Sequence, residues 1–154
     1  MSEHDEQRTF FDWVRLNRWL APNLEVRKAM KLCYSVPNGA HMGKAQAGKM
    51  VAEGMTKGIL DVNLDWPIVI YDPKKHEPPQ EDIKAGLRIE FKFGKNTLTK
   101  EQKEMKALLE EAGFKVAVCK SAQEGVRTVF KYLPFKVEDY QGLKEFLNEQ
   151  GTFN

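Results

Sequence analysis

Two cysteines in 154 residues are too few for a disulfide framework. Cys33 and Cys119 each stand in an apolar stretch that reads as a strand, which suits reduced core thiols and an intracellular, cytoplasmic setting. An excess of one charge is missing too: 24 Lys and Arg against 22 Asp and Glu leave a net +2, so the total names no partner. No apolar run approaches the roughly 20 residues that cross a bilayer, and the opening residues have neither the basic nor the apolar region of a secretion signal. We expect no membrane insertion. The three histidines, His4, His41 and His76, lack the spacing of a zinc site, and the cysteines stand too far apart to complete one. Gly39 to Lys44 is one residue short of a Walker A loop, and Ala45 stands where a hydroxyl should bind Mg²⁺.

What is present is an ordinary globular composition, 42% hydrophobic and 30% charged, in a length that suits one domain. Ser2 offers a cap, and Phe10, Trp13, Val14 and Asn17 follow at helical spacing, which predicts a helix over 3–17. Residues 24–30 carry an indistinct pattern that allows a helical turn or two. A strand over 31–36 ends at the turn signal Pro37-Asn38-Gly39, a short helix over 45–55 follows, and 59–64 reads as a strand with Asp61 inside it. The proline-rich stretch 67–86 reads as a long exposed connection with an extended piece at 68–71.

Residues 87–93 alternate strictly, with Leu87, Ile89, Phe91 and Phe93 on one face and Arg88, Glu90 and Lys92 on the other. Thr99 and Gln102 form a capping box for a helix over 99–112 whose stripe is Met105, Leu108, Leu109 and Ala112, closed by Gly113. A strand over 114–119 and a second capping box, Ser121 with Glu124, introduce a helix stopped by Pro134. Tyr140, Leu143 and Leu147 predict a helical extension over 135–150. The order of elements predicts an α/β domain with a central mixed β-sheet flanked by helices.

Side chains at i and i+2 of a strand point the same way, so Glu90 and Lys92 share one spot. If the preceding strand pairs with theirs, Asp61 adds a second carboxylate, and two hard oxygen ligands with a phosphate oxygen and waters make a site for Mg²⁺ or Mn²⁺. Lys92 would then orient the attacking water or offset charge on the phosphorane. The plain alternative is a solvated strand face carrying an ordinary surface ion pair. Lysines gather between Lys44 and Lys57 and between Lys92 and Lys106, as a phosphate-binding face needs, although a solvated lysine face accounts for them equally well.

An Asp, a gap, and Glu-x-Lys on a strand resemble the PD-(D/E)XK nuclease superfamily. More specific is the ordered string Pro37-Asn38-Gly39-Ala40, Ala52-Glu53-Gly54, Lys57-Gly58-Ile59-Leu60-Asp61, Gly86-Leu87-Arg88-Ile89-Glu90-Phe91-Lys92, Leu98-Thr99-Lys100-Glu101-Gln102 and Ala112-Gly113-Phe114-Lys115-Val116. It is similar to the VRR-NUC family, the virus-type replication and repair nucleases, over about 31–133. Ser2 to Gln7 with Phe10-Phe11-Asp12-Trp13 resembles the leader of its stand-alone, phage-type members. Leu60 departs from the family, which usually has proline there.

The resemblance implies a restriction-endonuclease-like fold and a Mg²⁺- or Mn²⁺-dependent endonuclease acting on branched DNA such as four-way junctions. It implies that Asp61, Glu90 and the Phe91 carbonyl bind metal, that Lys92 serves the nucleophile, that Gln102 lines the site and that an acid of helix 1 contributes. Glu3 is favoured over Glu6 because it lies one turn before Gln7. Gln7 and Glu53 are further candidates, and Asn38, Lys44, Lys49, Lys57 and Lys95 are candidate DNA contacts. Gln102 is equally explained by its cap alone, and Glu53 and Gly54 are candidates for contact with metal or phosphate, whereas Gly54 and Gly58 read equally well as glycines that permit tight turns. The resemblance to stand-alone members, with the two matched cuts that a symmetric junction needs, implies a two-fold homodimer with the many apolar residues of helix 1 in its interface; the competing reading is that residues 18–30 and the C-terminal helix cover those residues within one chain. The rival readings are a non-catalytic binding module of the same fold and a structural partner in a repair complex.

Overall fold

Ser2 begins the first helix as its cap: its hydroxyl accepts from the Asp5 N–H while the Asp5 carboxylate accepts from the Ser2 N–H. In the computed structural model, which describes residues 2–37, 43–70 and 83–153, this helix, α1 (Glu3–Leu20), runs a turn beyond the expected end, to the residues before Pro22. Asn23 then caps α2 (Leu24–Lys31), a complete helix where the sequence pattern was indistinct. Arg18 fastens the pair by donating to the carbonyls of Met30 and Cys33, and Arg27 donates to Ala21.

The main sheet has the order β1-β2-β5-β6, formed by β1 (Cys33–Ser35), β2 (Val62–Leu64), β5 (Leu87–Phe91) and β6 (Lys115–Cys119). β1 to β2 and β2 to β5 are antiparallel, and β5 to β6 is parallel, so the sheet is mixed as expected. Helix α3 (Lys44–Ala52) lies between β1 and β2 in the chain and buries none of its residues. The connection 67–86 is not wholly irregular: β3 (Ile68–Val69) pairs antiparallel with β4 (Ile83–Lys84). Two-residue strands are too short to show an alternation in sequence.

Leu87, Ile89 and Phe91 of β5 lie in the core with Phe10, Trp13 and Val14 of α1 and with Val126 and Val129 of α5 (Ala122–Tyr132). Gly125 is needed where these three elements meet, since a Cβ there would stand 2.8 Å from the rings of both Phe10 and Phe91. Helix α4 (Lys100–Glu111) has the predicted Thr99–Gln102 capping box. Its stripe is shallower than expected, with Met105 and Leu109 half-buried and Leu108 and Ala112 exposed, because α4 packs mainly on β6 at the end of the sheet. Ser121 caps α5, but Glu124 accepts from Lys120 rather than closing the expected box.

The expected helix over 135–150 does not form; two 3₁₀ turns, Val137–Asp139 and Lys144–Phe146, take its place. Gly142 sits at φ +68 between them, a left-handed position that interrupts a helix. The apolar residues read from this segment still cover α1. Tyr140 stacks on Trp13 at 5.7 Å, Leu143 is buried, and the fully buried Asn17 donates to the Gln141 carbonyl and accepts from its N–H. Phe10, Phe11, Trp13 and Val14 are therefore covered within the chain, which corrects the expectation that they form a dimer interface; Trp19 and Leu20 stay exposed. Both cysteines are buried and free, as expected, and burial pushes Cys33 up to about 12 and Cys119 to about 11, so neither offers a thiolate. Among the described residues no helix is long and apolar enough to cross a membrane.

Candidate active site

Val62 opposes Ile89 in the β2–β5 ladder, and one further step of the same register sets Asp61 against Glu90. There the backbone ladder stops and side chains replace it. The Asp61 N–H donates to Glu90 Oε1 at 3.1 Å, and the Phe91 N–H donates to Asp61 Oδ2 at 3.0 Å. Asp61 thus stands immediately before a strand of three residues, not inside a strand over 59–64 as the sequence suggested. The reason lies in those two carboxylates, which take the N–H groups that a longer ladder would have used.

Glu90 is buried, and Lys92, held by a ladder bond from its N–H to the Cys119 carbonyl, brings Nζ to 3.8 Å from Glu90 Oε2. Their side chains are only 4% and 11% exposed, which excludes the reading of a solvated surface pair. Burial, then the charge of Asp61 beside it, pushes the Glu90 carboxyl up to about 8, against a smaller opposing pull from Lys92.

These residues open into a cleft of about 590 Å³ whose lining includes Glu3, Gln7, Lys57 and Gln102. The first turn of α1 supplies Glu3, whose carboxylate accepts from the Phe93 N–H at 3.0 Å and from Asn96 at 3.4 Å. Glu6 goes elsewhere: its carboxylate accepts from the Ala122 N–H at the start of α5. Gln102 keeps its cap and also faces the cleft, because Oε1 accepts from Thr99 while the amide nitrogen is left to the site.

Glu53 is exposed beside a different hollow with Gly54 and Asn63, so the structure does not bring it to Asp61 and Glu90. Gly54 and Gly58 have φ of +111 and +86, and a Cβ on Gly58 would meet the Glu101 carbonyl at 2.7 Å, so the turn reading of both holds. Lys57 lines the cleft 3.6 Å from Glu101, while Lys44, Lys49 and Lys95 are exposed outside its lining. Asn38, like His41 and His76, lies outside the described residues. The sequence reading missed Asn96 and Glu101. Asn96 follows the turn glycine Gly94, and Glu101 is an acid in a helical first turn, so both carried only ordinary local signals.

Among the described residues no three His, Cys, Asp or Glu side chains converge as a metal cage. The set on offer is two carboxylates, each with one oxygen bound to an N–H and another, Asp61 Oδ1 and Glu90 Oε2, outside those bonds. That donor chemistry fits a hard divalent cation, which commonly takes one or two carboxylates and keeps several waters. A cation would also offset the repulsion that raises Glu90.

No protein-family model and no curated protein matches the chain. A solved structure of a "VRR_NUC domain protein" is similar over 86% of this chain and 88% of its own, with a TM-score of 0.58 and 20% identity. At that identity the likeness speaks to architecture, and the mixed four-stranded sheet between helices agrees with it. The chain therefore has the VRR-NUC, restriction-endonuclease-like fold.

Proposed function

We propose that the protein is a Mg²⁺- or Mn²⁺-dependent endonuclease that hydrolyses phosphodiester bonds in DNA, with branched DNA as its preferred substrate. The observation that carries this reading is the pair of bonds by which the Asp61 N–H donates to Glu90 and the Phe91 N–H donates to Asp61, with Lys92 against Glu90 in an open cleft. Asp61, Glu90 and the Phe91 carbonyl would hold the ion, whose chemistry is to polarise the phosphate and ease deprotonation of water. Lys92 orients the incoming water and offsets charge on the phosphorane. Glu3 fixes the loop after β5 through Phe93 and Asn96, and Gln102, which lines the cleft, would donate its amide N–H to a phosphate oxygen. The oxygen of water bonds to phosphorus and one P–O bond to a sugar breaks, leaving a phosphate monoester and a hydroxyl.

The purified chain, offered four-way, flapped and linear DNA, should cut only with Mg²⁺ or Mn²⁺ and stop with a chelator. Lys92→Ala should slow the cut by about 10²–10³-fold while remaining folded, the usual cost of losing one preorganised stabiliser. Full activity in that variant would remove the mechanism. Two-fold pairing of chains stays part of the proposal, because equivalent sites suit matched cuts in a symmetric junction. Light scattering should then find a dimer at micromolar concentration; a strict monomer that cuts linear duplex as readily as a junction would sink that part alone.

A further inference from the structure

A second cleft, of about 630 Å³, continues from the first along α1. His4 and Gln7 line both, so the two meet at the N-terminal end of that helix. Beyond them the lining carries Arg8, Arg15 and Arg18 from one face of α1, and Tyr34 from the outermost strand β1. The lining holds one acid, Asp12, which is paired with Arg15 at 2.8 Å in an exposed contact, and Arg8 also lies within the field of Asp5. Arg8 and Arg15 stand seven residues apart, about 10 Å along the helix axis. That matches the rise of roughly three nucleotides of one strand.

Arg18 spends its donors on the carbonyls of Met30 and Cys33, so it lends charge and rigidity to the wall while Arg8 and Arg15 remain exposed for contact. The Tyr34 hydroxyl donates to Asp65 at 2.7 Å and accepts from Asn63 at 3.2 Å, which fixes the ring while 41% of the residue stays exposed. A pinned aromatic beside spaced arginines is the pairing that holds unpaired bases and their phosphates.

We propose that this cleft binds a single-stranded arm of the nucleic acid next to the bond being cut, with Arg8 and Arg15 on phosphates and Tyr34 stacked on a base. The proposal rests on the nuclease reading of the adjoining cleft and names the part of the substrate that the protein selects.

The test uses the full chain in EDTA, where nothing is cut, and compares by fluorescence anisotropy a blunt duplex with the same duplex bearing a single-stranded extension. The extended probe should bind more tightly. On it, Arg8→Ala and Arg15→Ala should each lower the slope of log affinity against log salt by about 0.7, the contribution of one single-strand phosphate contact. Tyr34→Leu should weaken binding about tenfold and Tyr34→Phe much less, since stacking needs the ring and not the hydroxyl. Lys144→Ala, which removes a cation from neither cleft, should leave the slope unchanged. Equal binding of the two probes, or slopes unmoved by the arginine variants, overturns the arm site while the nuclease reading stands. If the wild-type chain binds neither probe and cuts no DNA with metal present, both fall together.

Discussion

Glu90 is where the chemistry of single residues is most exposed to test. Below about pH 4.5, its ordinary value, the carboxyl is protonated in folded and unfolded chains alike. As pH rises toward about 8 the unfolded chain gives up that proton while the folded chain keeps it, so without metal the wild type loses stability through this window. Glu90→Gln does not titrate and can still accept from the Asp61 N–H. In EDTA its melting temperature, relative to wild type, should climb between pH 5 and pH 8.5 and then level off. A constant difference across that range would show that Glu90 does not hold its proton. At this scale the sequence was informative about which residues meet and silent about how. Alternation along 87–93 put Glu90 and Lys92 on one face, and the resemblance brought Asp61 to them. That Glu90 is buried and not solvated depends on long-range packing, with α1 and the loop around Gly58 forming the other walls of its cleft, which no local pattern encodes.

At the scale of elements, the two acids of the first turn of α1 illustrate how a helix divides its labour. Glu3 and Glu6 were nearly equivalent in sequence, since i and i+3 share a face. The structure sends Glu3 to the strand end beside Lys92 and Glu6 to the first turn of α5, where it satisfies an N–H and meets the positive end of that helix. Glu6→Ala should therefore lower unfolding free energy by about 1–2 kcal/mol in urea, as loss of a cap does. Its effect on cleavage by the folded fraction should be small, whereas Glu3→Ala should do the reverse. Comparable losses of activity from both would mean that α1 and not Glu3 matters to the site. Capping boxes and alternation made α1, α4, α5 and β5 legible. The C-terminal segment was not, because Tyr140, Leu143 and Leu147 satisfy helical spacing while Gly142 takes a left-handed turn among them. Their burial was right and their backbone wrong.

For the whole molecule, the order β1-β2-β5-β6 leaves β6 paired on one side only among the described residues. This strand reads Lys115-Val116-Ala117-Val118-Cys119, and after Lys115 it is uncharged, with two β-branched valines, a composition that favours pairing with copies of itself when its open flank is met. Val118 is partly exposed there, and the exposed Val69 and Ile70 line the same hollow. Lys115 and Lys120 bracket the stretch, so charge guards both ends of a sticky seam. We expect these lysines to act as a gate against aggregation that is independent of the protein's chemistry. Lys115→Thr should leave the melting temperature within a degree or two, yet lower the protein concentration at which turbidity and thioflavin fluorescence rise during prolonged incubation. If the solubility limit does not move, the lysine guards nothing. If it does, one cation at the rim of a sheet decides how concentrated a solution of this protein can become before its molecules begin to share strands.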